Sequence, residues 1–76
     1  MTSHALNLDA LRDAATKAGD VHKDGRLHRS RIARRSGIDP GVVSRITRGE
    51  NGPSPRTLIL LAKAYHLTVD KLIRTD

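Results

Sequence analysis

Apolar residues recur along this chain at helical rather than strand spacing. Leu8, Leu11 and Ala15 fall on one face of a 3.6-residue repeat, with Asn7 or Asp9 as cap and Gly19 as stop, so a first helix is predicted over about Asp9–Ala18. Ile32 and Ala33 mark the inward face of a second helix over Arg29–Ser36, with Arg31, Arg34 and Arg35 left to solvent. Leu58, Leu61, Ala62 and Tyr65 form an i, i+3, i+4, i+7 stripe and place a fourth helix at about Pro55–Tyr65. Leu67 packs behind it, and Thr68 caps a last short helix over about Val69–Ile73.

The turn residues set the boundaries between these elements. Gly37 ends the second helix, as a left-handed position after the last turn requires. Ile38 packs down, Asp39 caps the next helix, and Pro40 enters its first turn, where a missing N–H costs nothing. The third helix continues through Thr47 and stops at Gly49, and Ser54 with Pro55 restarts the chain after a turn-rich linker. The polar stretch Gly19–Arg26 contains Asp24-Gly25, which also suits a hairpin turn joining Val21–Lys23 to Arg26–His28. Strands that short are marginal, so an irregular loop is expected. The fold class is all-α: a compact bundle of about five short helices forming one domain over residues 1–76.

Charge sharpens this picture. Between His22 and Gly49 stand eight basic residues and only two acids, whereas six of each sign balance elsewhere, so the whole net charge of +6 lies in one segment. Such a stripe is the footprint of a polyanion partner, although solvated basic faces are common on small proteins. The chain has no Phe or Trp, and Tyr65 lies on the apolar stripe. Readers of single strands stack bases on exposed aromatic rings, so a duplex held by charge is the better match. No cysteine is present, the N-terminus has no basic segment followed by an apolar run, and no stretch is long enough to span a membrane. The expected location is the cytoplasm, in association with the nucleoid.

The informative unit runs from Arg29 to Arg48. Ala33 is small where two steeply crossing helices approach, and Gly37 follows four residues later at the turn. Val43 and Ile46 lie six and nine residues beyond Gly37 on the buried side of the second helix of the unit, which leaves the opposite face free. With Leu27–Ala33, Gly37-Ile38-Asp39, Val43–Glu50, Pro53–Leu58, Leu61–Tyr65 and Leu67–Leu72 in register, residues 8–73 resemble the Cro and phage-repressor (XRE) helix-turn-helix family. The resemblance implies a lambda-repressor-like fold and a sequence-specific DNA-binding regulator, most simply a repressor, whose third helix enters the major groove of double-stranded DNA.

Four departures from the family pattern bear on mechanism. His28 and Arg29 stand where the family has a polar cap and a glutamine; Thr47 replaces its usual glutamate, removing an internal ion pair; and the Gly19–Arg26 loop is longer than needed. Pro40-Gly41, at the start of the recognition helix, carries no side chain able to bond a base edge. By position, base readout falls to Gly41, Val42, Ser44 and Arg45. Arg45 matches guanine bidentately or else bonds a phosphate, and Val42 touches a thymine methyl or joins the core. Ser44 suits a phosphate or a base edge, and Gly41 permits close approach. Phosphate contacts fall to Arg29, Ser30, Arg48 and Asn51, and the Asp24-Gly25 turn with Lys23 and Arg26 is a weaker candidate.

Members of the family commonly bind pseudo-palindromes as pairs. Leu60, Val69 and Ile73 are the candidate contacts with a second copy or a partner protein, although scattered surface apolar residues are normal. His4, His22, His28 and His66 lack metal-ligand spacing, and no nucleophile elbow or phosphate-binding glycine loop is present. No cofactor, metal or enzymatic activity is expected. The neighbouring readings are an antitoxin or restriction-system controller on the same fold, and an adaptor that keeps the fold without binding DNA.

Overall fold

The computed structural model describes residues 5–49 and 52–74. The elements run β1 (Ala5–Leu6), α1 (Leu8–Ala18), α2 (Arg29–Ser36), α3 (Pro40–Thr47), α4 (Pro55–Tyr65), α5 (Val69–Leu72) and β2 (Ile73–Arg74). It is the all-α bundle expected, with the helix boundaries set largely by the residues that predicted them. Asn7, not Asp9, caps α1, accepting the Ala10 N–H at 3.2 Å. Ser54 accepts the Thr57 N–H at 3.2 Å to start α4. Gly37 takes the left-handed conformation that ends α2, with φ of 77°. At the end of α4 a non-glycine does the same: His66 has φ of 56°, and its N–H returns to the Ala62 carbonyl.

Two segments differ from the sequence reading. The last helix stops at Leu72, and Thr68 precedes it without making a side-chain cap bond. Ile73 pairs instead with Leu6 in a two-residue antiparallel ladder, and Asn7 donates its N–H to the Leu72 carbonyl at 2.8 Å. Inter-strand bonds to the chain entering α1 satisfy backbone groups that another turn of an already short helix would have used. The Gly19–Arg26 loop is likewise not irregular. Val21 and Leu27 form an antiparallel bridge, and His22 donates to the Arg26 carbonyl at 2.8 Å, making a minimal hairpin around Asp24-Gly25. Packing of Val21 and Leu27 against the core supplies the support that so short a hairpin lacks alone.

Leu11, Ile32, Val43, Leu61 and Leu72 are fully buried and come one from each helix, so every helix surrenders its apolar face to one core. Within that core sits a carboxylate. Asp20 is only 2% exposed. Its side chain accepts two bonds from Arg35, at 2.6 and 3.3 Å, and one from the Tyr65 hydroxyl at 2.7 Å. Its backbone carbonyl accepts the His28 N–H at 2.9 Å. The Arg35 guanidinium carbon also lies 5.8 Å from the Tyr65 ring centroid, within cation–π range. Asp20, two residues beyond the end of α1, thus holds α2, α4 and the base of the hairpin.

Burial alone would push the Asp20 carboxyl up, but the Arg35 and Tyr65 hydrogen bonds and the Arg35 and Arg31 charges outweigh it and hold the group below the ordinary carboxylate range. Burial first, then the hydrogen bond to Asp20 and its charge, pushes the Tyr65 phenol up. Because Asp20 is depressed in the folded state, its contribution to stability is complete above the unfolded value of about 4. That contribution disappears as pH falls through the lower folded value. Tyr65→Phe, which removes one bond to a charged acceptor, is expected to cost about 1.5–3 kcal/mol in urea unfolding. Asp20→Asn should flatten the acid limb of the stability–pH curve; an unchanged limb would show that other carboxylates set it.

Candidate nucleic-acid interface

The helix-turn-helix unit is built from α2, a turn at Gly37-Ile38-Asp39, and α3. Asp39 caps α3 by accepting the Gly41 N–H at 2.9 Å, and Pro40 supplies the first helical residue. A Cβ at Gly41 would lie 2.9 Å from that same Asp39 oxygen. The glycine therefore leaves room for the cap as well as for close approach from outside. Val43 and Ile46 turn into the core, and Pro40, Gly41, Arg45 and Arg48 are exposed on the opposite side. Val42, Ser44 and Thr47 are half-buried along its two edges.

Grooves lie along both edges of α3. On one side Pro40, Ser44 and Thr47 border a concavity of about 570 Å³, whose other wall comes from α1, the hairpin and the start of α2. On the other, Val42, Arg45 and Ile46 border a smaller one of about 260 Å³ against Gly52-Pro53-Ser54 and Thr57. The exposed side of α3 is thus a ridge between two troughs, a convex surface of the kind a major groove accepts. Of the residues singled out from sequence, Gly41 and Arg45 lie on the ridge with Arg48, Ser44 and Val42 lie at its edges, and Arg29 and Ser30 lie across the larger groove. Asn51 is outside the described residues.

Two departures from the family pattern turn out to be partners. Arg29 donates its Nε–H to the Thr47 hydroxyl at 3.2 Å. Thr47 in turn bonds back along α3, its hydroxyl lying 2.8 Å from the Val43 carbonyl and 3.1 Å from that of Ser44. The start of α2 is therefore tied to the end of α3 without an internal ion pair. The bond orients the Arg29 guanidinium at the mouth of the larger groove. His28, the other departure, caps α2: its Nδ1 lies 3.4 Å from the Arg31 N–H and 3.1 Å from the Ser30 hydroxyl.

Two of the remaining arginines of α2, Arg31 and Arg35, are not purely solvated, whereas Arg34 is exposed. Arg31 donates to the Gly19 carbonyl at 3.2 Å, and Arg35 donates to the Ala18 carbonyl at 3.3 Å besides gripping Asp20. Both bring positive charge to the C-terminal end of α1, where the helix dipole favours it. Periodicity placed these side chains outward correctly but could not show that α1 ends beneath them. The sequence signal for Asp20 is faint: an acid directly after a helix-ending glycine, in a chain with arginines nearby. Leu60, Val69 and Ile73 are half-buried against the core, and the exposed large apolar side chain among the described residues is Ile59, at 46%.

A family model described as Helix-turn-helix matches residues 25–72, more than half of the chain. The protein belongs to the Cro/C1-type (XRE) helix-turn-helix family. No curated protein and no solved structure matches it. The matched span takes in α2, α3, α4 and α5 and the ridge between the two grooves. In general terms this helix-turn-helix protein is a DNA-binding transcriptional regulator. No helix among the described residues is long and apolar enough to cross a membrane.

The division of labour among the arginines separates two measurable quantities. Arg35→Met is expected to lower the thermal unfolding midpoint by exposing Asp20 to an unpaired burial. Arg29→Met, which loses one exposed bond to Thr47, should lower the midpoint far less than Arg35→Met and weaken duplex binding. Fluorescence anisotropy with a labelled duplex, beside thermal melts of both variants, checks the assignment; the reverse pattern would overturn it.

Proposed function

We propose that this protein is a sequence-specific repressor that inserts α3 into the major groove of duplex DNA and blocks a promoter by occupying it. The observation that carries the reading is the exposed α3 ridge, with Arg45 exposed at the border of the second groove and no bulky side chain at Gly41 to hold the helix away. The bare start of the helix shifts base readout towards its second turn. In this reading Arg45 takes guanine O6 and N7, Ser44 takes a base edge or a phosphate, and Val42 presents its exposed part to a thymine methyl. Arg29, Ser30, Arg48 and Asn51 bind the flanking phosphates. The protein then works in the cytoplasm, on nucleoid DNA.

Duplex binding is expected to weaken steeply with salt, because each neutralised phosphate releases counterions. On a selected site, Arg45→Ala should cost about 1–3 kcal/mol and relax the preference at one base pair. Selection of binding sites from random duplexes, followed by titration of both forms, makes the comparison. Equal weakening on every sequence would move Arg45 to a phosphate.

One such unit offers few base contacts, so we further propose that two copies bind a pseudo-palindrome as a symmetric pair. Leu60, Val69 and Ile73 supply the contact, together with Ile59, whose exposure the sequence pattern did not single out. Sedimentation on and off DNA is expected to show a dimer that Ile59→Asp dissociates, since this exposed side chain contributes little to the fold. A wild-type protein that remains one copy per site on DNA would remove the pairing.

A further inference from the structure

We propose that the hairpin between α1 and α2 is a second, preformed phosphate clamp, gripping the DNA backbone beside the strand that α3 reads. The inference rests on the duplex-binding reading above. It concerns the larger groove, which the recognition ridge uses only along one edge. Arg12 of α1, His22 and Arg26 of the hairpin, and Arg29 and Ser30 of α2 converge on this groove from three segments of the chain. No acidic residue is among those that line it. Asp24 offsets part of the Arg26 charge from outside this lining; the positive charge left across the concavity favours a bound anion.

Contacts within the hairpin and with the core hold its shape. The His22 and His28 rings stack with centroids 4.4 Å apart and planes 18° from parallel. Gly25 donates to the His22 carbonyl at 2.9 Å, and the Val21–Leu27 bridge closes the base against the core. A lip held this way pays little ordering entropy when it binds. Its cation is Arg26, whose side chain is 77% exposed and bonds Asp24 at 2.6 Å through Nε. That contact leaves the terminal NH2 groups of the guanidinium for the non-bridging oxygens of a phosphodiester, which accept paired donors well. Asp24 also accepts the Arg26 backbone N–H at 3.1 Å. That bond first, with the guanidinium, holds the Asp24 carboxyl below the ordinary range. Asp24 therefore orients Arg26 and, as a charged neighbour, opposes a phosphate at the same place.

This arrangement makes two substitutions act in opposite directions. Titrations of a mixed-sequence duplex with the full chain at several salt concentrations would compare wild type, Arg26→Ala, Asp24→Asn and the charge-matched control Lys63→Ala on α4. Arg26→Ala should reduce the magnitude of the log–log salt slope by about 0.9, the value of one phosphate contact, whereas Lys63→Ala should leave the slope nearly unchanged. Asp24→Asn keeps an oxygen for the Arg26 N–H but removes the charge, and should tighten binding several-fold. A slope for Arg26→Ala equal to that of Lys63→Ala, or weaker binding by Asp24→Asn, would overturn the clamp while leaving duplex binding by α3 intact. A wild-type protein that does not bind the duplex at all would instead remove the reading on which the clamp rests.

Discussion

The arrangement of this fold depends on one buried carboxylate. Asp20 follows directly on the glycine that ends α1, and burying its charge is tolerable only because Arg35 and Tyr65 both donate to it. Those two donors stand on α2 and α4, while the Asp20 carbonyl holds the residue that caps α2. The network fixes the direction in which the chain leaves α1, and with it where the hairpin lies beside α2. Hydrophobic burial supplies the driving force for collapse in so small a core, but it is not directional. The charge-assisted bonds at Asp20 are directional, and they select one orientation of the helices.

Positive charge is divided between fold and surface along the same helix. Arg31 and Arg35 turn towards the end of α1 and neutralise exposed carbonyls there, whereas Arg29 faces the groove beside α3. What looks like a uniform basic stripe in the sequence is therefore two sets of side chains with different work. Substitutions of the first set act on stability before they act on binding. The Arg29–Thr47 bond joins surface and scaffold, since it ties α2 to α3 and aims a guanidinium at the proposed phosphate path.

The Asp39–Gly41 pair shows a similar economy at the start of α3. The cap requires space that a side chain on Gly41 would crowd, so this helix begins firmly but without a reader at its tip. The proposed base readout therefore falls on Arg45 and its neighbours, in the second turn. On the proposed reading, so few base contacts gain from additional backbone contacts, and the groove behind Ser44 and Thr47 is where Arg12, Arg26 and Arg29 come together.

Apolar periodicity and capping residues act over only a few positions, so the number of helices, most of their ends and the exposed side of α3 are legible in the residues alone. Asn7, Gly37, Asp39 and Ser54 each announced a boundary through a bond made locally. Features that depend on distant partners emerge only when the chain is packed. Asp20 and Tyr65 are 45 residues apart, and Arg29 and Thr47 are 18 apart; nothing in the spacing of either pair implies contact. Ile73 left its helix because Leu6 was beside it, and the hairpin formed because the core accepted Val21 and Leu27. Short strands have no stability of their own, so only the packed molecule could say that they exist.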